Sequence, residues 1–328
     1  MNCSARTLVV APYVGEFGWE LMNWQARVRW VVSHDHYQRV IVGAEADRRT
    51  LYAQPNTAGR VVFCPIPPLK VPGHGNEDHR LDDRGRPVPP GDLRRIVESQ
   101  MGETCGRLGI RLDGVSVLAP DYNSTIWPTE PPHQDFVSFR IRQPVAVDIV
   151  LVPRLRRLAC ERNQPESWWN ELAGRLRDRG LSVETYQPRL DDAIRQLSRA
   201  RLAIGASTGG LHLASLCECP HYVWGSGAEA RWTRLGITNR QRYETIWNPL
   251  GTPCRYDECG WRPPMAHVLD RAREALDEIG LASGATAPGW SLKPTWRVKR
   301  GLARLLKPDG AESVWPWRVR HLVREHIV

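Results

Sequence analysis

The chain has 328 residues, 41% hydrophobic and 25% charged, enough for two ordinary globular halves, each with its own core. No apolar run reaches the ~18 residues that would span a bilayer, and the eight cysteines show no framework spacing, which excludes a disulfide scaffold and fits a reducing compartment. The net charge of +9 favours an anionic partner (a nucleotide-sugar, an anionic membrane face or nucleic acid), and the 14 tryptophans suit sugar stacking, base stacking or core packing.

Thr7–Ala11 (TLVVA) reads as a first strand rather than a secretory signal, so a cytoplasmic location is expected, extending to the inner membrane face. The loop GEFGWE follows, and Gly15 and Gly18 leave its backbone open to a ligand. Glu16 lies between them at the carboxyl end of the strand. A helix then runs to about Ser33, with Leu21, Trp24, Val28 and Val31 at helical spacing toward a sheet. Arg39–Gly43 is the next strand and completes a βαβ unit. Arg60–Pro65 is a further strand. Residues 66–92 form a long loop rich in Pro, Gly, His and Asp, read as an acceptor lid; His74, Asp78, His79 and Asp82 or Asp83 leave metal binding open there. A helix over Asp92–Leu108, a strand over Gly114–Leu118 and a polar loop with Tyr122 and Trp127 close this half.

A second half is expected from residue 141. Its first strand, Asp148–Val152, ends in Pro-Arg-Leu-Arg-Arg. The basic cluster of Arg154 and Arg156 at a strand's carboxyl end suits a diphosphate, with a solvated loop as the alternative. Trp168, Leu172 and Leu176, with Trp169 as a further candidate, share a helical face, read as core ahead of sugar stacking. A strand at Leu181–Thr185 and a helix at Leu190–Ser198 lead to the stretch Leu202–Gly225. This reads as strand, then Ser207-Thr208-Gly209-Gly210 opening a helix that carries His212, then a second strand ending in Trp224-Gly225. A Ser207 or Thr208 hydroxyl is expected to cap the helix, and the two glycines to bare backbone amides for a phosphate. Close packing of the helix on the sheet is the alternative. His212 either bonds a phosphate or packs. Beyond it come a loop with Ser226 and Trp232, a last strand at Tyr243–Trp247, a loop at Asn248–Pro264 and a helix at Met265–Ile279. Cys254 and Cys259 share that loop without a second pair, so no zinc site is expected. The basic, Trp-rich tail 282–328 is expected to pack back on the first half, with a membrane-surface helix or a nucleic-acid contact as alternatives.

The string S-T-G-G-L-H-L-A followed by an apolar strand and Trp-Gly resembles the sugar-nucleotide segment of the ADP-heptose:lipopolysaccharide heptosyltransferase family, within the GT-B glycosyltransferases. R-N-x-P-x-x-W at Arg162–Trp168 is also similar to GT-B enzymes, the fucosyltransferase-like ones among them. The resemblance covers the C-terminal half. It implies an α/β fold of two Rossmann-like, doubly wound domains facing a cleft, here residues 1–140 for the acceptor and 141–281 for the nucleotide-sugar. It implies an inverting, metal-independent transferase with no cofactor beyond its donor. Arg154 and Arg156 would contact the donor phosphates, together with Ser207, Thr208, Gly209, Gly210, His212 and Ser226. Glu16, or else Glu20, would serve as the base, with Gly15, Gly18 and Trp19 beside the acceptor. That family usually has an Asp near Glu16, and stabilisation of the helix start is the alternative role for this carboxylate. The acceptor would be a cell-surface glycan or a lipid-linked precursor. Transfer to hydroxymethylated DNA bases and a non-catalytic nucleotide-binding module are the competing readings.

Overall fold

A computed structural model of the chain describes residues 6–53, 60–67, 90–111, 114–120, 134–156, 159–227 and 238–282. The long loop with His74, the loop with Tyr122 and Trp127, Trp232 and the basic tail lie outside the described residues.

Two parallel sheets organise the rest. The first contains β1 (Thr7–Val10), β2 (Arg39–Glu45), β3 (Val61–Ile66) and β4 (Ser116–Leu118) in the order β3-β2-β1-β4. The second contains β5 (Val147–Val152), β6 (Val183–Thr185), β7 (Ala200–Ala206), β8 (His221–Trp224) and β9 (Cys254–Asp257) in the order β6-β5-β7-β8-β9. Every pairing is parallel, with register such as Val9 beside Ile41 and Ile204 beside Tyr222. Strands of this kind are covered on both faces and read as unbroken apolar runs, which is why TLVV, DIVLV and RLAIGA form them.

Alternation along each strand divides the core. Leu8, Val10, Val40 and Val42 face one layer, while Val9, Ile41 and Cys64 face the opposite one, under Val97, Met101 and Cys105 of the helix Pro90–Arg107. In the second sheet Val150, Val152 and Ala203 meet Leu190, Ile194 and Leu197 of the helix Leu190–Ser198. Ile149, Leu151, Ile204 and Trp224 meet Trp169, Leu172 and Leu176, and Val268 and Ala272 of the last helix, Met265–Ala282. Helices on both faces of two parallel sheets give the two Rossmann-like halves that the sequence implies. No described helix is long and apolar enough to cross a membrane.

The expected helix after β1 is there, but it is composite: Phe17–Trp19, a π-helical stretch Glu20–Trp24, then Gln25–His34. Leu21, Trp24, Val28 and Val31 are buried along it, as their spacing implies. Trp169 is buried against Trp224, ring centroids 5.7 Å apart, and belongs to the core, while Trp168 packs edge-on to both and is half-buried at its edge. Two expectations fail. Arg242–Ile246 is a π-helical turn rather than a strand, and Cys254–Asp257, expected as loop, is the edge strand β9. The first error has a local cause. Thr238 Oγ1 accepts from the Gln241 amide and Gln241 Oε1 from the Thr238 amide, a capping box that commits the segment to a helical start. The second arises because an edge strand of four residues buries only Tyr256 and carries no apolar run.

Candidate functional site

Strand order fixes where a ligand can sit. In the first sheet β2 and β3 lie on one side of β1 and β4 on the other; in the second, β6 lies on one side of β5 and β7 on the other. Each reversal opens a crevice outside the carboxyl ends of the strands. One cavity of about 190 Å³ occupies this position in both halves at once. Glu16, Gly18 and Trp19 come from the chain after β1, Arg154 and Arg156 from the loop after β5, and Ser207, Thr208 and His212 from the corner after β7. Arg162, Asn239, Arg242, Trp247 and Trp261 complete the wall.

Glu16 begins the helix with its backbone: its carbonyl accepts from Trp19 and Glu20 at 2.9 and 3.2 Å. Its carboxylate caps nothing on that helix. It reaches across the cleft instead and accepts from Arg156 Nη1. Glu20, one turn further on, points the other way. It is buried against the Tyr52 hydroxyl at 2.7 Å and Arg48 at 3.3 Å, with the Arg48 guanidinium over the Phe17 ring. The structure therefore corrects Glu20 from candidate base to buried structural charge. Gly15 lies under the Tyr13 ring and off the cavity wall, whereas Gly18 and Trp19 are on it.

Arg154 is 3% exposed and is held by its own loop, where Nη1 donates to the Ala159 carbonyl at 2.9 Å and to Asn163 Oδ1. Asn163 Nδ2 in turn donates to the Arg156 carbonyl at 2.8 Å, so one asparagine braces both arginines. This gives the R-N-x-P string a physical role. Burial, with Arg156 and Arg162 close by, lowers the Arg154 guanidinium to about 10. Crowded cations of this kind favour an anion among them.

The corner after β7 departs from expectation in detail. Thr208 is the N-cap residue of the helix Gly209–Leu216, but no side chain caps it. The Thr208 carbonyl takes the amides of Leu211 and His212, at 3.1 and 3.3 Å. Ser207 Oγ accepts from the Tyr243 hydroxyl. Gly209 and Gly210 are buried and do not line the cavity. A Cβ on Gly210 would stand 2.6 Å from Val152 Cγ1, so this glycine serves helix-on-sheet packing. On the opposite wall a Cβ on Gly18 would stand 2.8 Å from His212 Cδ2 and 3.6 Å from the Gly209 Cα, so these glycines let the two halves close. What faces the cavity is the Ser207–Thr208 pair and His212. Thr208 Oγ1 and His212 Nδ1 are buried without a hydrogen-bond partner among the described residues. Burial, with Arg242, His221 and Arg156 nearby, drives His212 well below the usual histidine range, so its ring is neutral. The ring packs between Trp247 and Tyr243, at 4.4 and 5.3 Å.

Sequence reasoning missed the far wall. Arg242 is buried, its guanidinium 3.4 Å from the Trp247 ring centroid and its Nη1 2.6 Å from Asn239 Oδ1. Asn239 Nδ2 donates to the Ser226 carbonyl at 2.9 Å, so Ser226 stands behind the wall and orients Asn239 rather than lining the cavity. Arg162 lies over Trp261 at 4.4 Å. The one legible signal for Asn239 and Arg242 is the T-x-x-Q capping box that positions them. Both π-helical turns of the chain's described residues, Glu20–Trp24 and Arg242–Ile246, begin next to cavity residues, a placement common at functional sites.

No protein-family model matches the chain, and no curated protein matches it in sequence. Among solved structures, it is similar to the E. coli ADP-heptose lps heptosyltransferase II, at 12% identity and a TM-score of 0.48, covering 83% of this chain and 99% of that one. It is similar to E. coli heptosyltransferase WaaC with ADP at 11% identity and a TM-score of 0.45, over 83% of this chain and 99% of that one. A glycosyl transferase of family 9 from Veillonella parvula is similar at 8% identity and a TM-score of 0.44, over 85% and 99%.

Proposed function

We propose that the protein is a glycosyltransferase that takes a sugar from a nucleotide-sugar and passes it to an acceptor hydroxyl. One observation carries this reading: among the described residues, four arginines, Arg154, Arg156, Arg162 and Arg242, converge on a cavity lined by one carboxylate, Glu16. Such a cavity selects a polyanion, and a diphosphate fills it with the planar, bidentate contacts that arginine favours. Thr208 Oγ1 and His212 Nδ1, on two residues that line the same cavity, are buried without a hydrogen-bond partner among the described residues, and leaving such atoms unmet costs about 1–3 kcal/mol each. Trp19, Trp247 and Trp261 supply faces for a base or a sugar ring.

In this reading the donor lies against the carboxyl half and the acceptor enters beside Glu16 and Trp19. Glu16 takes the proton from the acceptor hydroxyl as that oxygen attacks the anomeric carbon. The bond to the diphosphate oxygen breaks, the nucleoside diphosphate leaves, and the anomeric configuration inverts. Charge growing on the leaving oxygen is met by fixed guanidinium groups in a partly water-excluded site. That is the task a divalent cation performs in other transferases, so the proposed chemistry is metal-independent. The diphosphate also competes for Arg156, which frees the Glu16 carboxylate to act. The acceptor proposed is a cell-surface glycan or lipid-linked precursor.

A thermal-shift panel of nucleotide-sugars and nucleoside diphosphates tests the reading, because a true ligand stabilises the folded chain by mass action. One nucleotide family should raise Tm, and its sugar conjugate should yield free nucleoside diphosphate in the presence of acceptor extracts. A panel with no stabilising member would refute it.

A further inference from the structure

Beyond the arginine cavity, at the carboxyl end of β9, three side chains of different chemistry meet. Asp257 offers a carboxylate, Cys259 a thiol and His267 an imidazole, and their ligand atoms all lie within 4.8 Å of one another. Asp257 is the crowded member. Its Oδ2 pairs with His267 Nε2 at 2.6 Å and accepts from the Tyr222 hydroxyl at 3.1 Å. One carboxylate thus holds the imidazole in place beside the thiol, so the three ligand atoms are already gathered.

We infer that Asp257, Cys259 and His267 form a binding site for a zinc-class divalent metal ion, one that clamps the loop carrying Trp261. Carboxylate, thiolate and imidazole are the ligand set that borderline ions of this class prefer. Bond lengths of about 2.0–2.3 Å put tetrahedral ligands roughly 3.5 Å apart, so shifts of about an ångström in side chains already gathered within 4.8 Å suffice. One carboxylate and one thiolate balance the divalent charge, the imidazole binds neutral, and a water takes the fourth position. The thiol proton passes to solvent on binding. Arg271 is the neighbouring cation, and its Nη1 is held by Glu274 at 2.6 Å. Asp257 and His267 side chains are 19% and 33% exposed, so the ion can reach them from solvent.

The ligands flank Trp261 in sequence, and Trp261 lines the arginine cavity beneath Arg162. Short links tie the loop to the sheet, such as the Gly260 amide to the Gly225 carbonyl at 3.0 Å and the Gly225 amide to the Asp257 carbonyl at 3.1 Å. A metal there fixes one wall of the cavity without entering its chemistry. Sequence spacing paired Cys259 with Cys254; the fold pairs it with an aspartate and with a histidine from the last helix.

Co2+ titration of the reduced full-length chain tests the site, with cobalt alone as the probe. A thiolate-to-cobalt charge-transfer band should grow and saturate at one equivalent. It should disappear in Cys259→Ser and persist in Cys160→Ser, which removes an exposed thiol elsewhere. His267→Asn should weaken binding by more than the roughly tenfold expected for losing an outer-sphere partner. On the unmodified chain, Zn2+ should slow alkylation of Cys259, read by peptide mapping, at least tenfold. This last measurement needs no variant to fold. A wild-type chain with no charge-transfer band, a band undiminished in Cys259→Ser, or an alkylation rate indifferent to Zn2+ would each overturn the inference.

Discussion

Buried arginines occur on both sides of the cleft, and they are used differently. In the amino-terminal half, Arg29 donates to Gln25 Oε1 and to the carbonyls of Ala53 and Leu51, and Arg48 meets Glu20. Burial lowers Arg29 to about 10, as it does Arg154 in the other half. Neither Arg29 nor Arg48 lines the cavity, and the contacts above are with protein groups of their own half. Arg154 and Arg242 are just as buried but form the cavity wall, beside Arg156 and Arg162. What separates the two groups is placement: Arg29 and Arg48 are buried away from the cavity, whereas Arg154 and Arg242, also bonded to groups of their own half, line one space together with Arg156 and Arg162. The same contrast separates Glu20 from Glu16: one carboxylate is sealed under Tyr52, while the other crosses the cleft to an arginine of the opposite half.

Substitutions on the two sides should therefore fail in different assays. Glu16→Gln should lower transfer by about 10²–10⁴-fold, the usual worth of a positioned base, while donor affinity measured by calorimetry stays within a few-fold of wild type. Wild-type turnover in that variant would remove Glu16 from the chemistry. Arg48→Ala strands the Glu20 carboxylate in the core and should cost about 3–5 kcal/mol in urea unfolding, with nucleotide affinity of the folded fraction unchanged. Acid should act on the carboxyl half. His221 is buried and held down at about 4, below an unfolded value of 6.5, and His212 is displaced in the same direction. Unfolding then takes up protons as pH falls below 6.5, so stability is complete above that value and declines toward pH 4, by about 3 kcal/mol from His221 alone. Flat stability between pH 7 and 4.5 would contradict those buried neutral rings. Arg242→Ala and Arg154→Ala should each weaken donor binding about 10–100-fold, in keeping with roughly 1.5–3 kcal/mol for hydrogen bonds to a charged group. The smallest effect belongs to the seam. Gly18→Ala places a methyl 2.8 Å from His212 Cδ2 and should cost about 1–3 kcal/mol through overpacking, read as a lowered Tm.

Most of the fold was legible because parallel strands write themselves as apolar runs and the helices between them as periodic faces. Leu190, Ile194 and Leu197 face the core as their spacing requires. Half of the cavity was legible for a related reason. Residues just past the ends of strands, such as Glu16, Arg154, Arg156, Ser207 and Thr208, are placed by topology alone. The rest depended on contacts distant in sequence. The aromatic pair Tyr243 and Trp247 looks like strand material, yet both rings pack on His212 across a helical turn. Arg162 and Trp261 belong to one wall only after folding brings them together. Spacing cannot say which of two carboxylates a turn apart faces a cleft, and the π-helical turn that begins at Glu20 is not written in any residue type. The Gly209-Gly210 pair shows the reverse case: a pattern that reads as a phosphate seat serves packing, while the hydroxyl pair before it faces the cavity.

The arginine cavity as a diphosphate seat is tested most directly by calorimetric titration of the intact chain with ADP, GDP and UDP, repeated on the Arg154→Ala/Arg242→Ala double variant. One of these nucleotides should bind at one equivalent to the wild type and lose at least about a hundredfold in affinity in the double variant, which should retain its secondary structure. Equal affinity in the two proteins, or no binding of any nucleoside diphosphate to the wild type, would contradict it.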